Sequence, residues 1–330
     1  LRTGSLAAAL VGGTDTGEPA SGIEILSAAQ ADYSRLIGVL YEKGYFAPTI
    51  SIQVGGREVS SLSAVAAPPT IPRVVITVDP GAVFTFGNVT ITPQAPTSEP
   101  VPGLMPGETA RVSTLRAGTA AQIEGWRHAG HAKAAVSDQK ITARHPEKTL
   151  SAAVTLDPGP RLRFGELIIQ SESAVREKRI REIIGWESGE VFDPDHIDDV
   201  KTRMRRTGNC AAVTVTEAEE PNPDGTLDVT ATISDQLPRR YSFGAEYSTL
   251  DGLSVSALWL HRNIFGGAER LQIDGEISGA GGQTGGEDYR LTALLARPAT
   301  IRTDLEAFAL AEVEQVDDPN LFSRTCLLYT

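Results

Sequence analysis

The chain has 330 residues, of which 41% are hydrophobic and 22% charged, and its net charge is −12 at neutral pH. This length predicts two or three domains, and this composition predicts globular folding throughout. The acidic balance argues against binding to nucleic acid and against docking on an anionic membrane surface, because both need an excess of lysine and arginine.

Targeting and cross-linking signals are sparse in the sequence. No run of apolar residues reaches the length of a transmembrane helix, which is about 18 residues. Hydropathy does not, however, detect the alternating strands of a membrane barrel. The N-terminal LRTGSLAAAL lacks the features of a signal peptide, and we interpret both ends as cut. The two cysteines, Cys210 and Cys326, provide neither a disulfide framework nor a cysteine-based zinc site.

A repeat of 78 residues organises the first 240 residues. The segment VDPGAVFTFGNVTI begins at residue 78, LDPGPRLRFGELII begins at residue 156, and a looser third copy lies at 233–247. Between these segments, Gly44, Gly130 and Gly208 each follow a helical pattern and precede a strand pattern. The fixed order of these markers predicts three copies of one structural unit.

The first unit has no opening strand, and LRTGSLAAAL is interpreted as the remnant of its first helix. Its second helix is predicted from apolar residues on one face, namely Tyr33, Leu36, Ile37 and Leu40. Strands are predicted at 49–54 and 73–78. The second unit is longer, and its extra residues are assigned to a surface loop in the Pro-rich segment 93–103.

The third unit gives the order of elements most clearly. A strand is predicted at 162–170, followed by a helix and then a second helix that starts at Asp193-Pro194, since Asp caps a helix and Pro fits its first turn. Gly208 is expected to end the second helix in a left-handed conformation. Two strands separated by the turn PNPDG complete a β-α-α-β-β unit. The apolar residues assigned to these helices and to the returning strand are Ile180, Ile183, Ile184, Ile197, Val200, Met204, Leu227, Val229, Ala231 and Ile233.

From Tyr241 the helical spacing disappears, and five segments alternate between apolar and polar residues. They lie at 241–248, 253–259, 271–277, 289–295 and 305–313. Their length and alternation predict the first strands of an antiparallel transmembrane β-barrel. Because an open edge in lipid is prohibitive, the remaining strands are expected beyond Thr330.

A soluble β-sandwich produces the same alternation and is the alternative for this region. Charges on the polar face and the length of the strands favour the barrel. Five large apolar residues on the nominally polar face favour the sandwich instead, namely Leu258, Leu260, Leu294, Phe308 and Leu310.

The Phe86-Gly87 and Phe164-Gly165 pairs, the three helix-ending glycines and the segment 243–279 resemble the outer-membrane protein assembly superfamily, the BamA/TamA family. Its members carry POTRA domains before a C-terminal β-barrel, and the TamA branch with three POTRA domains is the nearer match. The resemblance implies POTRA-like domains at 1–80 (without its first strand), 82–159 and 161–237. It further implies the N-terminal part of an outer-membrane barrel, about five strands, at 239–330.

This resemblance implies a non-enzymatic protein of the outer membrane with its POTRA domains in the periplasm and with no cofactor. It would insert or secrete β-rich proteins such as autotransporters. The implied partners are unfolded or nascent outer-membrane proteins, the lipid bilayer and an inner-membrane-anchored, periplasm-spanning protein. A two-partner secretion transporter and a soluble adhesion or scaffolding protein with a terminal sandwich are the alternatives.

Candidate binding residues lie in the second strand, in chain order, of each unit. This strand is expected at a sheet edge, where unpaired N–H and C=O groups can pair with an added strand. The segments are 49–54, 134–139 and 211–216. The residues proposed to line these edges are Thr49, Ile50, Ser51, Ile52, Ala134, Val136, Ala211, Val213 and Val215.

The first barrel strand is the second candidate. The resemblance implies that this strand pairs weakly with the last barrel strand. The junction between the two strands, the seam, would open so that a strand of a client protein can pair there. Its residues would be Tyr241, Phe243, Ala245 and Tyr247.

No catalytic or metal-binding constellation emerges from the sequence. His128 and His131 are placed at a helix end without further ligands. The acidic residues Asp193, Asp195, Asp198 and Asp199 are explained by a capped helix start and the favourable helix dipole. GAGGQTGG at 279–286 lacks the Lys of a phosphate loop. We therefore expect a binding protein without a metal site.

Overall fold

A computed structural model of the chain describes residues 22–63, 73–96, 101–282, 286–318 and 321–329. The helix predicted within LRTGSLAAAL lies outside these residues. The described residues fall into two compact units, one up to Trp126 together with Lys133–Gly159, the other Arg127–Ala132 together with the chain from Pro160. The α-helices are α1 (Gly22–Glu42), α2 (Val112–His128), α3 (Glu177–Ile184) and α4 (Pro194–Arg206).

The first sheet packs against α1. Its strands are β1 (Thr49–Val54), β2 (Arg57–Glu58) and β3 (Val74–Asp79), in the order β2-β1-β3 and antiparallel throughout. Apolar side chains of the helix and of β1 share one core, which contains Leu26, Ala29, Ile52, Val54, Val59 and Leu62. The predicted strands are therefore confirmed, with β3 one residue later than expected.

The second sheet contains β4 (Thr85–Thr92), β5 (Ala135–Arg144) and β6 (Thr149–Asp157), in the order β4-β6-β5. The described residues between β4 and α2 form turns, which confirms the surface loop assigned to 93–103 where it is described, but the first helix of the repeat is not among them. Four prolines between residues 93 and 102 account for this difference, because proline lacks the amide donor and disrupts helical hydrogen bonding. The observed order of elements in this repeat is therefore β-α-β-β, one helix fewer than the expected β-α-α-β-β.

The third sheet has the full predicted order, with α3 and α4 between its first and second strands. It contains β7 (Arg163–Ser171), β8 (Cys210–Glu217) and β9 (Thr226–Asp235), in the order β7-β9-β8. Strand β9 is central, parallel to β7 and antiparallel to β8. All ten apolar residues predicted to pack in the helices and the returning strand are buried.

Local capping explains where α4 begins and where the chain leaves it. The Asp193 carboxylate accepts a hydrogen bond from the Asp195 amide at 3.0 Å, and Pro194 occupies the first turn. Beyond the helix, Gly208 has φ +68°, which a residue with a side chain adopts only with strain. Both predicted boundary signals are confirmed.

The repeated DPG turns have a common physical basis. In the first, Oδ1 of Asp79 accepts from the Gly81 amide at 3.1 Å, and in the second, Oδ1 of Asp157 accepts from the Gly159 amide at 3.0 Å. Each glycine has positive φ. The motif recurs because a side-chain acceptor and a left-handed residue together fix the same turn.

The last region is one antiparallel sheet whose strands follow in chain order. Each neighbouring pair is joined by a short connection, and each strand has nine to twelve residues. The strands are β10 (Arg239–Ser248), β11 (Gly252–His261), β12 (Arg270–Ala280), β13 (Asp288–Arg297), β14 (Ala307–Asp318) and β15 (Leu321–Tyr329).

Two expectations for this sheet were wrong. Six strands are present where about five were expected, because β15 (LFSRTCLLY) mixes apolar and polar residues on both faces and shows little alternation. Leu305 was assigned to a strand, but it lies in a turn in which its amide donates to the Arg302 carbonyl at 3.0 Å. Strand β14 begins two residues later.

Among the described residues, none of the helices combines the length and the apolar character needed to cross a membrane.

We predict that Asp193→Ala lowers the free energy of unfolding of the third repeat by about 1 kcal/mol, because the Asp195 amide loses its acceptor. Urea unfolding followed by the fluorescence of Trp186, which packs against this core, measures the effect when Trp126 and Trp259 are replaced by Phe. The control is Asp198→Ala on the same helix, whose exposed pair with Lys201 is worth about 0.3 kcal/mol. Equal losses in the two variants would contradict the capping role.

Candidate protein-binding edges and the exposed sheet

Strand β1, the first candidate edge, is largely occupied by groups of its own unit. Strand β2 pairs with it only at Gln53 and Val54. Further along β1, the Ile52 amide donates to Oε1 of Glu58 at 3.1 Å, and the Ser51 hydroxyl donates to Oε2 at 2.7 Å. Of the four residues proposed here, Thr49 and Ile50 therefore have the least obstructed edge.

The electrostatics of Glu58 stabilise this capped arrangement. The Tyr33 hydroxyl donates to Glu58, and this bond, followed by those from Ser51 and the Ile52 amide, lowers the pKa of the carboxyl below its usual value. Burial, together with the neighbouring carboxylate, raises the pKa of Tyr33. The carboxylate therefore stays ionised at neutral pH and keeps the Ile52 amide paired.

Strand β5 is the most open of the three candidates. It is an outer strand of its sheet, and nearly all its residues are exposed on both faces, including Val136 and Ile141. Ala134, which was proposed as part of the edge, lies just before the strand. A bulge between Val136 and Asp138 shifts the register and locally interrupts the regular pairing with β6.

Strand β8 is also an outer strand, but one of its faces is anchored in a core. Val213 is buried, and Val215 packs beside the same core. Ala211 was expected on that face but is exposed, because a bulge between Cys210 and Ala212 changes the alternation. The binding role of all three edges remains a prediction.

The cysteine at the start of β8 has low reactivity. Cys210 is buried, and burial, followed by the charge of Asp235, raises the pKa of its thiol to about 11. Since the thiolate is the reactive form, this residue is a poor nucleophile at neutral pH. Cys326 is exposed on β15.

The terminal sheet presents an uncovered apolar face. Directly paired positions on neighbouring strands form an apolar row, which consists of Phe243, Ala257, Gly275, Leu291 and Val313. Phe243 is 80% exposed and Tyr247 is 73% exposed, values far from those of a packed core. The sandwich alternative requires a second layer over this face, and none of the described elements covers it.

The opposite face of the same sheet carries paired charges. Arg290 lies between two acidic residues in direct register, with Nη2 2.6 Å from Oε1 of Glu314 and Nη1 3.6 Å from Oε2 of Glu276. Beside this row, the Thr292 hydroxyl contacts Glu312 at 3.3 Å. Hence one face is suited to an apolar medium and the other to water.

Both ends of this sheet are open within the part of the chain that the structure describes. Strand β10 pairs only with β11, and β15 pairs only with β14. The proposed seam residues Tyr241, Phe243, Ala245 and Tyr247 all lie on β10 and are exposed. Their assignment to a strand is confirmed, whereas their role as a seam remains a prediction.

The structure brings His128 next to Asp193 and Asp195, which gives three possible metal ligands. One ligand atom each of His128, Asp193 and Asp195 lies within 4.8 Å of the others. Nε2 of His128 is 3.4 Å from Oδ1 of Asp195, and Asp193 already caps α4. Because two of the three side chains are exposed, we interpret this cluster as polar surface groups around a capped helix start.

Sequence reasoning missed Glu58 and the arginines that join the third repeat to the terminal sheet. A signal for Glu58 was present, since Gly55-Gly56 between two strand segments is typical of a tight hairpin, and both glycines have positive φ. Arg179 and Arg262 bind backbone oxygens across this boundary, and Arg203 binds the carboxylate of Asp304, 101 residues away in sequence. Such partners leave no mark in the sequence.

Comparison with known proteins agrees with the fold. Residues 162–236 match the POTRA family model, described as "Surface antigen variable number repeat". The third repeat is therefore a POTRA domain. A search among curated proteins found no match to the sequence.

Several solved structures are similar to this chain. BamA from Haemophilus ducreyi lacking POTRA domains 1–3 has a TM-score of 0.57 and 16% sequence identity, covering 74% of this chain and 46% of that one. Haemophilus influenzae BamA POTRA3-5 has a TM-score of 0.49 and 17% identity over 71% of this chain and 91% of that one. CdiB from Escherichia coli has a TM-score of 0.39 and 13% identity over 94% of this chain and 54% of that one.

The fold is accordingly that of an α+β POTRA domain followed by a six-stranded antiparallel sheet that resembles part of the BamA barrel. The predicted fold class is confirmed. The chain spans 46% of the length of the Haemophilus ducreyi structure.

We predict that Glu58→Gln increases hydrogen–deuterium exchange at the Ile52 amide at neutral pH, because the neutral amide group is a weaker acceptor than the carboxylate. Since the folded-state pKa of Glu58 is lowered, its stabilising effect is present above the unfolded pKa and is lost as the pH falls through the folded value. The difference in protection between wild type and variant should therefore vanish in acid. A difference that is independent of pH would contradict this role.

Proposed function

We propose that this chain belongs to an outer-membrane protein assembly factor, with its POTRA repeats in the periplasm and its terminal sheet in the membrane. The observation that carries the proposal is the sheet itself. One face is a continuous apolar surface, the opposite face carries a row of charges, and a POTRA domain leads directly into the first strand.

A lipid environment accounts for the uncovered apolar face. Exposed large apolar side chains in water are unfavourable, at roughly 25 cal/mol per Å² of apolar surface. Against acyl chains the same residues are compatible with their surroundings, and strands of about 9–11 residues are long enough to cross the bilayer. On the other face, Glu276, Arg290 and Glu314 would then line an aqueous interior.

The POTRA repeats would receive clients through their open edges. We propose three such domains, at 1–80, 82–159 and 161–237, followed by the barrel region at 239–330. Strands β5 and β8 are the best candidates because each is an outer strand. An added strand would gain main-chain hydrogen bonds without a strict sequence requirement, which suits many different β-rich clients.

The edge of β10 would be the second binding position. Its exposed aromatic residues Tyr241, Phe243 and Tyr247 lie on the apolar face, and its outer edge has no neighbour among the described strands. We propose that this edge pairs weakly with the final barrel strand and opens to template a client strand. Three repeats favour a TamA-like factor with autotransporter clients and an inner-membrane-anchored partner.

We predict that the full-length protein from purified outer membranes migrates differently on gels before and after boiling, as a stable barrel does. Leu291→Arg should abolish the shifted form, because a charge on the lipid face near the bilayer centre costs about 2–4 kcal/mol. Thr292→Arg, one residue along the strand on the charged face, is the matched control and should keep the shift. Recovery of the protein in a soluble fraction without any shift would overturn the membrane assignment.

Strand addition at β8 is tested by disulfide capture. In a Cys210→Ala, Cys326→Ser background and with a mild thiol oxidant added to accept the two electrons, Thr214→Cys should form a disulfide with a urea-unfolded outer-membrane β-barrel protein that carries one strand cysteine. The added strand would lie about 4.8 Å from β8, within the about 7 Å limit between Cα atoms for a disulfide.

The matched control for this capture is Thr232→Cys. Thr232 is also exposed and lies directly opposite Thr214 on the central strand β9, so an added strand would be about two strand spacings away. Capture should therefore fail there. Equal capture at both positions would indicate non-specific association and contradict β-augmentation.

A further inference from the structure

The repeats are joined by the same hydrogen bond each time. The carbonyl of Gly44, which follows α1, accepts from the Phe84 amide at 2.8 Å, just before β4. The carbonyl of Gly130, which follows α2, accepts from the Leu162 amide at 2.8 Å, just before β7. A helix-ending glycine of one repeat thus binds the backbone that begins the next.

At the third glycine, the terminal sheet supplies the donor. Nε of Arg262 donates to the Gly208 carbonyl at 3.1 Å. The same guanidinium donates through Nη1 to the Leu237 carbonyl at 3.0 Å, and the Arg262 amide donates to the Pro238 carbonyl at 2.8 Å. Arg262 lies at the start of the connection between β11 and β12. Its side chain therefore supplies the hydrogen bond to Gly208 that the backbone of a next repeat supplies to Gly44 and Gly130.

Two arginines of the POTRA domain bind the connection between β13 and β14. Arg179 on α3 is only 6% exposed and donates to the carbonyls of Pro298 and Ala299 at 2.6 and 3.2 Å. Arg203 on α4 forms a two-point contact with Asp304, at 3.1 Å from Nε and 3.0 Å from Nη2. Planar guanidinium groups that donate twice fix direction as well as distance.

Apolar packing continues across the same boundary. Ala268 and Ala299, from two connections of the sheet, belong to the core of the POTRA domain. The left-handed Gly185 at the end of α3 leaves space for Thr303, because a Cβ at that position would lie 2.6 Å from the threonine hydroxyl. The sheet thus contributes to the interior of the domain as well as to its surface.

We propose that Arg179, Arg203 and Arg262 are positioning residues that lock the last POTRA domain and the terminal sheet into one rigid body. We call this set the arginine clamp. The short link between β9 and β10, residues 236–238, is then a fixed joint.

Resting on the proposed function, the clamp has a functional consequence. Edge β8 and edge β10 would keep one fixed separation and orientation. A client strand captured at β8 would reach β10 in a reproducible geometry, which favours its transfer to the barrel edge. Loss of the clamp would impair transfer while leaving capture intact.

The test measures distances between spin labels in the full-length protein with Cys210→Ala and Cys326→Ser. Labels are placed at Asp198→Cys on α4 and Glu246→Cys on β10, both exposed positions. The clamp predicts a single narrow distance distribution. Arg262→Ala and Asp304→Ala should each replace it with a broad one, and Asp304→Ala, at an exposed residue, leaves the POTRA core unchanged.

The matched control is Arg181→Ala. Arg181 lies on the same helix as Arg179, but its partners Glu177 and Leu167 belong to the POTRA domain itself. Its distance distribution should stay narrow. A broad distribution in the wild type, or a narrow one in either Arg262→Ala or Asp304→Ala, would overturn the proposal.

A second readout separates the clamp from the proposed function. Disulfide capture at Thr214→Cys should be unchanged in Arg262→Ala, whereas folding of the captured client into membranes should slow. The distance measurement uses no client, so it can fail or succeed whatever the clients are. A narrow distance distribution together with failed disulfide capture would support the clamp and reject strand addition at β8.

Discussion

Pairing of backbone N–H and C=O groups at strand edges is the constraint on which the rest of this structure depends. The first sheet meets it internally, through the Glu58 carboxylate that binds the Ile52 amide. Strands β5, β8 and β10 are outer strands of their sheets among the described residues. An outer strand left open in this way is a place where another strand can be added, so the fold and the proposed activity have the same physical origin.

Much of the fold could be predicted because it depends on local chemistry. The helix start at Asp193-Pro194 and the left-handed Gly208 are decided by a few neighbouring atoms, and both were found where expected. The alternation in β10 to β14 separates an apolar face from a charged face of one sheet. These signals are periodic or adjacent in sequence, which is why sequence reasoning can detect them.

The remaining features depend on contacts that are distant in sequence or on departures from periodicity. The bulge in β8 moved Ala211 off the expected face, and the weak alternation of β15 hid a sixth strand. Prolines removed a helix that the repeat alone predicted. At the candidate edges, the sequence indicated the strands but not that Glu58 already occupies part of β1, since that pairing depends on the three-dimensional position of one carboxylate.

The arginine clamp has an evolutionary consequence that follows from the atoms it recognises. Arg179 and Arg262 bind carbonyl oxygens, and every residue type supplies a carbonyl oxygen. The exposed side chain at Leu237 can therefore change freely, provided that the path of the main chain is retained, whereas Ala299 is also held by its place in the core. The two arginines have no such freedom, because lysine lacks their planar, forked set of donors. A joint built in this way can be inherited as a shape while most of its sequence is replaced.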